Sequence, residues 1–407
     1  MHPACSTAAI VALFSSALLS TGCSSRAATP ASPRLVTVAQ SGQADVIGHD
    51  SAALQKAANL LRPGDTLSIG AGTYEMENSL FVPSDVTVKG VAGQTILRKS
   101  RGVESALLED GDYADAYLAV AEPQKFHPGM GIAVTDDALN GGWDATITSV
   151  ASVKSPYVIL SPVTVRDYSY EKHARISNTF PILAVMNAQN SVLEDLIVDG
   201  NRAENRYLDG CRGGAIYLYN VRNVKVRHCT ARNYNGDGIS FQVSENVEVL
   251  NSESYGHAGY GIHPGTGSAH ALVKDCRMHD NGTIGLFLCW RVRHSRFENN
   301  VMENNGQYGI SIGHKDTDNE FVGNTIARNG KTGVYFRKET ASNSGSRNVF
   351  RNNKVLDNGN AKEGYGFYVE PNATGLVIEG NQIADTRGVQ KVDIYTAPGA
   401  GSVTASN

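Results

Sequence analysis

Arg291, His314, Lys315, Arg337 and Lys338 recur one repeat apart along the chain, with Trp290 and Tyr335 among them. If those repeats stack, three neighbouring coils gather the five side chains within a few rungs. Like charges one rung apart repel, so a surface without a task has no reason to collect them. The chemistry that suits such a cluster is proton removal beside a carboxylate. In a uronate sugar the proton on C5 is very weakly acidic, and a cation on the neighbouring carboxylate stabilises the charge that develops as it leaves. Arg291, Arg337 or Lys315 can neutralise the carboxylate. His314 or His263 can take the proton, provided the ring is neutral at working pH, and Tyr335 can return one from the other face. Trp290 and Tyr335 offer flat faces for sugar rings. Lys338, Glu339, Asp316, Gln242 and Tyr217 are expected to line the same face, and Gly265 and Gly313 leave it free of side chains.

The elements that position these residues are read from a repeat. Strand-like starts recur at "GAIYLYN" (214), "GISFQVS" (238), "GIHPGTG" (261), "GLFLCWR" (285), "GISIGHK" (309), "GVYFRKE" (333) and "GFYVEPN" (366), most of them 23 or 24 residues apart. A period of this size means a solenoid, and the alternation within each start fits a half-buried strand. Ile239, Ile262, Leu286, Ile310, Val334 and Phe367 are predicted to form one inward column. A second column holds Val226, Val249, Val273, Phe297, Phe321, Phe350 and Ile378. Three residues later stand Cys229, Ser252, Cys276, Asn300, Asn324, Asn353 and Asn381, and stacked Asn amides can bond from rung to rung. Asn-Gly pairs at Asn235, Asn281, Asn305, Asn329 and Asn358 are expected to close several coils. Cys229 and Cys276 fall two rungs apart, roughly 10 Å at ~4.8 Å per rung, beyond disulfide reach.

The leucine frame of leucine-rich repeats is absent, and the pattern resembles the right-handed parallel β-helix of the pectate-lyase-like superfamily. That resemblance implies an all-β, single-stranded right-handed solenoid over residues 36–407, with a β-rich excursion at about 110–175 where the period breaks. Before it, "DSAALQKAANLLRPGDTLSIGAGTYEM" (50–76) reads as an amphipathic helix capped by Asp50 or Ser51, then a turn and a first strand. The helix is expected to cover the end of the solenoid. Ahead of that, "AAIVALFSSALLSTGC" reads as the end of a signal peptide of residues 1–22. Its last residues resemble a lipoprotein lipobox, with cleavage before Cys23 and lipid on that thiol. Residues 23–35 then form a flexible tether. Export and a place in the periplasm or cell envelope follow, with the membrane reached only through the lipid.

The stretch "YGIHPGTGS" (260–268) resembles the Tyr-Gly-x-Asp-Pro-His-Asp motif of periplasmic mannuronan C5-epimerases. Tyr260, Gly261 and Pro264 match. The family's catalytic His falls on Gly265, and its two Asp positions fall on His263 and Thr266, so the motif does not convey a base. The superfamily also holds polysaccharide lyases, glycoside hydrolases and NosD-like repeat proteins. The expected function is therefore an exported enzyme acting on an acidic polysaccharide, by elimination first and epimerisation second. A hydrolase is the third reading, with Asp316 and Glu339 on successive coils as its carboxylates and Asp237 and Glu370 as further acids. A glycan-binding β-helix without catalysis is the fourth. A net charge of −4 over 407 residues gives no support for nucleic-acid binding. No metal or cofactor is expected: "DTDNE" (316–320) has oxygen ligands without a calcium-loop spacing.

Overall fold

Each coil of the chain lays down three short strands and then repeats the move one rung higher. The structure, a computed structural model, describes residues 32–138 and 142–406. The expected signal peptide, Cys5 and Cys23 lie outside the described residues, as does most of the tether. The strands form three long sheets, of 13, 10 and 10 strands, in which every neighbour within the repeat pairs in parallel. The second sheet carries the repeat starts, from Ile216–Tyr219 through Tyr260–Pro264, Ile284–Phe287 and Tyr308–Ile312 to Thr332–Phe336 and Tyr365–Val369.

Register follows the predicted columns. Ile239 pairs with Ile262, Ile262 with Leu286, Leu286 with Ile310, Ile310 with Val334 and Val334 with Phe367, all of them wholly buried. In the first sheet Phe297, Phe321 and Phe350 stack with ring centroids 4.8 and 4.3 Å apart. Each such ring buried stabilises the fold by about 1.5–3 kcal/mol. Because strand side chains alternate, filling the interior with these columns puts Ser240, His263, Phe287, Ser311 and Tyr335 on the outer face of the second sheet.

Asparagine ladders finish the interior. Asn300 Nδ2 donates to Asn324 Oδ1 at 3.0 Å, Asn324 to Asn353 at 2.9 Å and Asn353 to Asn381 at 2.8 Å. A second ladder joins Asn281, Asn305, Asn329 and Asn358. Asn235 is not one of its rungs. Its amide bonds the Asn205 carbonyl, and the ladder continues instead through His257, whose backbone N–H donates to Asn281 Oδ1. The Asn-Gly pair at 235 therefore belongs to a loop closure one residue past the column.

His257 has a testable consequence. It accepts from the Tyr234 N–H on Nδ1 and donates to the Ala231 carbonyl from Nε2, the pattern of a neutral ring. Burial pushes its pKa down to about 3. An unfolded His titrates near 6.5, so the stability from the neutral ring is whole above about pH 6.5 and is lost as pH falls toward 3. His257→Asn supplies the same acceptor and donor without the titration. Between pH 7 and 4.5 the wild type is expected to lose roughly 2–3 kcal/mol more than this variant in urea unfolding.

A helix, Ser51–Ala58, follows the strand Leu35–Ala39, which already belongs to the 13-stranded sheet. Asp50 Oδ1 accepts from the Ala53 N–H at 2.8 Å, and Leu54, Ala57 and Ala58 are buried in the same interior as the strands. Where the period breaks, six antiparallel strands from Glu104–Ala106 to Arg175–Ser177 make a separate sheet with its own core of Leu118, Ile132, Val158, Leu160 and Ile176. This sheet covers the early rungs of the second sheet. A cavity of about 240 Å³ between them is lined by Ile147, Pro162, Met186, Tyr217 and Tyr219.

Candidate active site

The turn after the second sheet presents an exposed aromatic ring beside an imidazole. Trp290 is 48% exposed, and the His314 ring lies against it with centroids 4.8 Å apart. His314 Nδ1 is 3.4 Å from Glu339 Oε2, with both side chains about a fifth exposed. The carboxylate faces Nδ1, and among the described residues Nε2 makes no hydrogen bond, which leaves it open to act as a base.

Cations surround this pair. Arg291 and Lys315 occupy the same turn position on adjacent coils, the Arg291 N–H donating to the His314 carbonyl. Both are left-handed, at φ 62° and 57°, as are Asn220, Val243 and Gly267 at the same turn position on the preceding coils. A long side chain there costs roughly 1–2 kcal/mol relative to right-handed backbone. Among the described residues neither makes an ion pair, nor does Lys338, whereas Arg328 and Arg347, also left-handed, pair with Glu303 and Asp318.

The outer face of the second sheet also carries an aromatic strip. Tyr308 stacks on Tyr335 at 4.6 Å, Tyr335 meets Tyr368 edge-on at 5.7 Å, and Tyr368 packs against Tyr365 and Tyr395. All five are partly exposed. The Tyr335 hydroxyl donates to Glu370 Oε1 at 3.3 Å.

Five expected site residues, His263 among them, are placed differently. Asp316 is wholly buried: its carboxylate accepts from the Val292 and Gly313 N–H groups, and Arg337 Nη2 donates to it at 3.3 Å. Burial raises the Asp316 pKa to about 6, against the pull of Arg337 and the two amides. Arg337 also donates to Ser311 Oγ and to the Leu288 and Cys289 carbonyls, and its guanidinium lies over Phe287. Arg337 is thus the counter-ion of a buried acid rather than a free cation. Asp316 points inward while Glu339 points to His314, so the two carboxylates do not face one bond. Tyr217 is 3% exposed and donates to the Cys211 carbonyl, and Gln242 is wholly buried. The loop before Gly213 folds over their rungs and removes both from the surface. The space expected at Gly265 and Gly313 is filled: a Cβ there would overlap the Gln242 amide and the Arg337 guanidinium.

His263, 1% exposed, belongs to a second, buried cluster. Its Nδ1 is 2.7 Å from Asp237 Oδ2, and Asp237 Oδ1 accepts from the Tyr260 N–H at 2.9 Å. Beside it stand the thiols of Cys211 and Cys289. Burial disfavours the charged imidazole, but the Asp237 carboxylate and Cys289 outweigh it and raise the pKa to about 10. The hydrogen bond from Cys211, with His263 and Arg337 adding to it, pulls the Cys289 thiol down to about 5, and the same bond pushes Cys211 up.

The family model for the right-handed β-helix region matches residues 168–274, 199–344 and 297–401. The chain belongs to that family. Its sequence is 24% identical over 233 residues to the exo-poly-α-D-galacturonosidase of Dickeya chrysanthemi, covering 54% of this chain and 36% of that one. The β-helix described here thus spans about a third of that relative's length. Among solved structures, the A-module of a mannuronan C-5 epimerase from Azotobacter vinelandii superposes with a TM-score of 0.56 at 16% identity, over 83% of this chain and 73% of that one. An alginate lyase from a Paenibacillus strain gives 0.51 at 14% identity, over 91% and 99%. At these identities the shared feature is the right-handed parallel β-helix itself.

Within that β-helix the repeat also carries a signal for Asp237 beyond its expectation as a further acid. It stands one residue before its repeat Gly, in the outward column of Tyr260, Ile284, Tyr308, Thr332 and Tyr365. A lone acid in such a column, beside a histidine one rung on, marks a paired site. Cys211 lies in the loop before the repeat, and no periodicity could place it.

Proposed function

We propose that this β-helix is an exported enzyme that acts on a uronate-containing polysaccharide by removing the C5 proton, with elimination as the outcome. The observation that carries the reading is the turn at Trp290 and His314, where an imidazole and an exposed indole stand with three cations that make no ion pair among the described residues. Arg291, Lys315 and Lys338 hold the sugar carboxylates, and Trp290 carries a ring. His314 Nε2 takes the C5 proton while Glu339 steadies Nδ1. The C5–H electrons form the C4=C5 double bond, the C4–O bond breaks, and the leaving oxygen takes a proton from Tyr335. The cations supply electrostatic stabilisation where the negative charge appears. The strip from Tyr308 to Tyr395 extends the binding surface along the coils. The relatives named above are, by their names, enzymes of mannuronan, alginate and polygalacturonate, which supports the substrate class.

Export rests on the signal-like start, with cleavage and lipidation at Cys23 tying the enzyme to the envelope. The polysaccharide is the partner that the site is built for. The reading is tested by incubating the purified protein with polymannuronate, polyguluronate, polygalacturonate and polyglucuronate. New ultraviolet absorbance from the C4=C5 double bond is expected on at least one of them. Deuterium entering C5 from heavy water without cleavage would make the enzyme an epimerase that uses the same base. Saturated reducing ends would instead mean hydrolysis and overturn the proton-abstraction mechanism.

A further inference from the structure

The buried cluster on the second sheet plays no part in the chemistry above, yet it is built with care. Cys211 comes from a loop, His263 from the strand Tyr260–Pro264 and Cys289 from just past the neighbouring strand Ile284–Phe287, and their ligand atoms all lie within 4.8 Å of one another. Asp237 occupies Nδ1 of His263 at 2.7 Å, so Nε2 is the nitrogen left to face the sulfurs. This is the carboxylate–histidine arrangement that fixes the tautomer of a metal-bound imidazole. Two glycines make room for it. A Cβ at Gly210 would overlap Asp237 Oδ2 and His263 Nδ1, and one at Gly265 would overlap the Gln242 amide. Gln242 is wholly buried, its Nε2 lies 3.3 Å from His263 Nε2, and among the described residues its Oε1 has no hydrogen-bond partner. A buried amide oxygen without a donor is a group waiting for a ligand.

We propose that Cys211, His263 and Cys289 bind one zinc-type transition-metal ion, with Asp237 behind the histidine and Gln242 beside the fourth position. Tetrahedral ligands at ~2.3 Å for sulfur and ~2.0 Å for nitrogen sit roughly 3.5–4 Å apart, so the observed cluster needs only small side-chain shifts to close on an ion. Two soft sulfurs and an imidazole select zinc or its neighbours over calcium and magnesium, which require oxygen ligands. A simple disulfide between Cys211 and Cys289 would need neither the histidine directed at both sulfurs nor the carboxylate holding it. A thiol nucleophile would not need the second cysteine. The two charges of the ion also offset two thiolates, one buried at Cys211 and one partly buried at Cys289, in a site where the Phe287 ring centroid is 5.0 Å from that of His263.

The test uses the full chain, reduced, stripped with a chelator and dialysed against zinc or cobalt(II). Elemental analysis is expected to find about one zinc per chain. The cobalt form should show the intense near-ultraviolet sulfur-to-metal bands and visible bands of a tetrahedral thiolate site. Cys211→Ser, Cys289→Ser and His263→Gln should each abolish those bands, while Cys229→Ser, which removes a buried thiol elsewhere, should keep them. Asp237→Asn should retain the spectrum but weaken zinc binding roughly 10–100-fold. Cooperative urea unfolding of each variant separates loss of the site from loss of the fold. If the folded, reduced wild type takes up no zinc and gives no cobalt–sulfur bands, the proposal fails. It fails equally if Cys211→Ser and Cys289→Ser, both folded, bind as well as the wild type. Neither result bears on His314, so the C5 chemistry stands or falls separately.

Discussion

His314→Ala is expected to lower turnover on the uronate substrate by about 10²–10⁴-fold, the loss that follows removal of a positioned base. The side chain is about a fifth exposed and bonds nothing in the core, so the melting temperature should hardly move. The split between kinetic constants distinguishes roles within the turn. Loss of the base should appear in kcat with little change in KM, whereas Trp290→Ala, which removes a surface for a sugar ring, should appear mainly in KM. Glu339→Gln keeps the shape around Nδ1 but removes the charge that steadies the ring, and should fall between wild type and His314→Ala. A His314→Ala protein retaining turnover within threefold of wild type would remove the base from this turn.

Arg337→Ala should act on the opposite quantity. It leaves the wholly buried Asp316 carboxylate without its cation and the Leu288 and Cys289 carbonyls without their donor. Breaking a buried pair by removing one partner costs about 3–5 kcal/mol, visible as a lower urea midpoint. The loss should depend on pH with a definite sign. The folded Asp316 titrates at about 6, above the ~3.9 of an unfolded aspartate. Below about pH 6 the folded carboxyl is already protonated and has no charge to strand. The destabilisation should therefore be largest near pH 8 and shrink toward pH 5. An Arg337→Ala protein as stable as wild type at both pH values, with only KM raised, would mean that Arg337 serves the substrate and not Asp316.

The turn "GHKDTDN" shows how one short stretch divides between these two roles. His314 and Lys315 face outward, while Asp316 and Asn319 are wholly buried, Asn319 donating to the Val292 carbonyl and to Asn348. In sequence the three charged residues are consecutive and look alike.

What the sequence determined by itself was the stack. A period near 24 residues, inward Ile, Val and Phe, and recurring Asn leave few other ways to bury apolar strands and satisfy their turns, so register and most columns between residues 214 and 383 could be read off directly. The same period located Trp290, Arg291, His314 and Lys315 on adjacent coils. What only the tertiary structure decided was which outward residues stay outward. Periodicity gives a side chain its column but not what crosses that column. The excursion and the loop before Gly213, both outside the repeat, cover Tyr217 and Gln242 and bring Cys211 to His263. Arg337 is long enough to reach back two coils, and it does so because a buried Asp316 attracts it more strongly than solvent does. Charge pairing and loop cover depend on contacts between residues far apart in the chain, and a repeat read one coil at a time does not contain them.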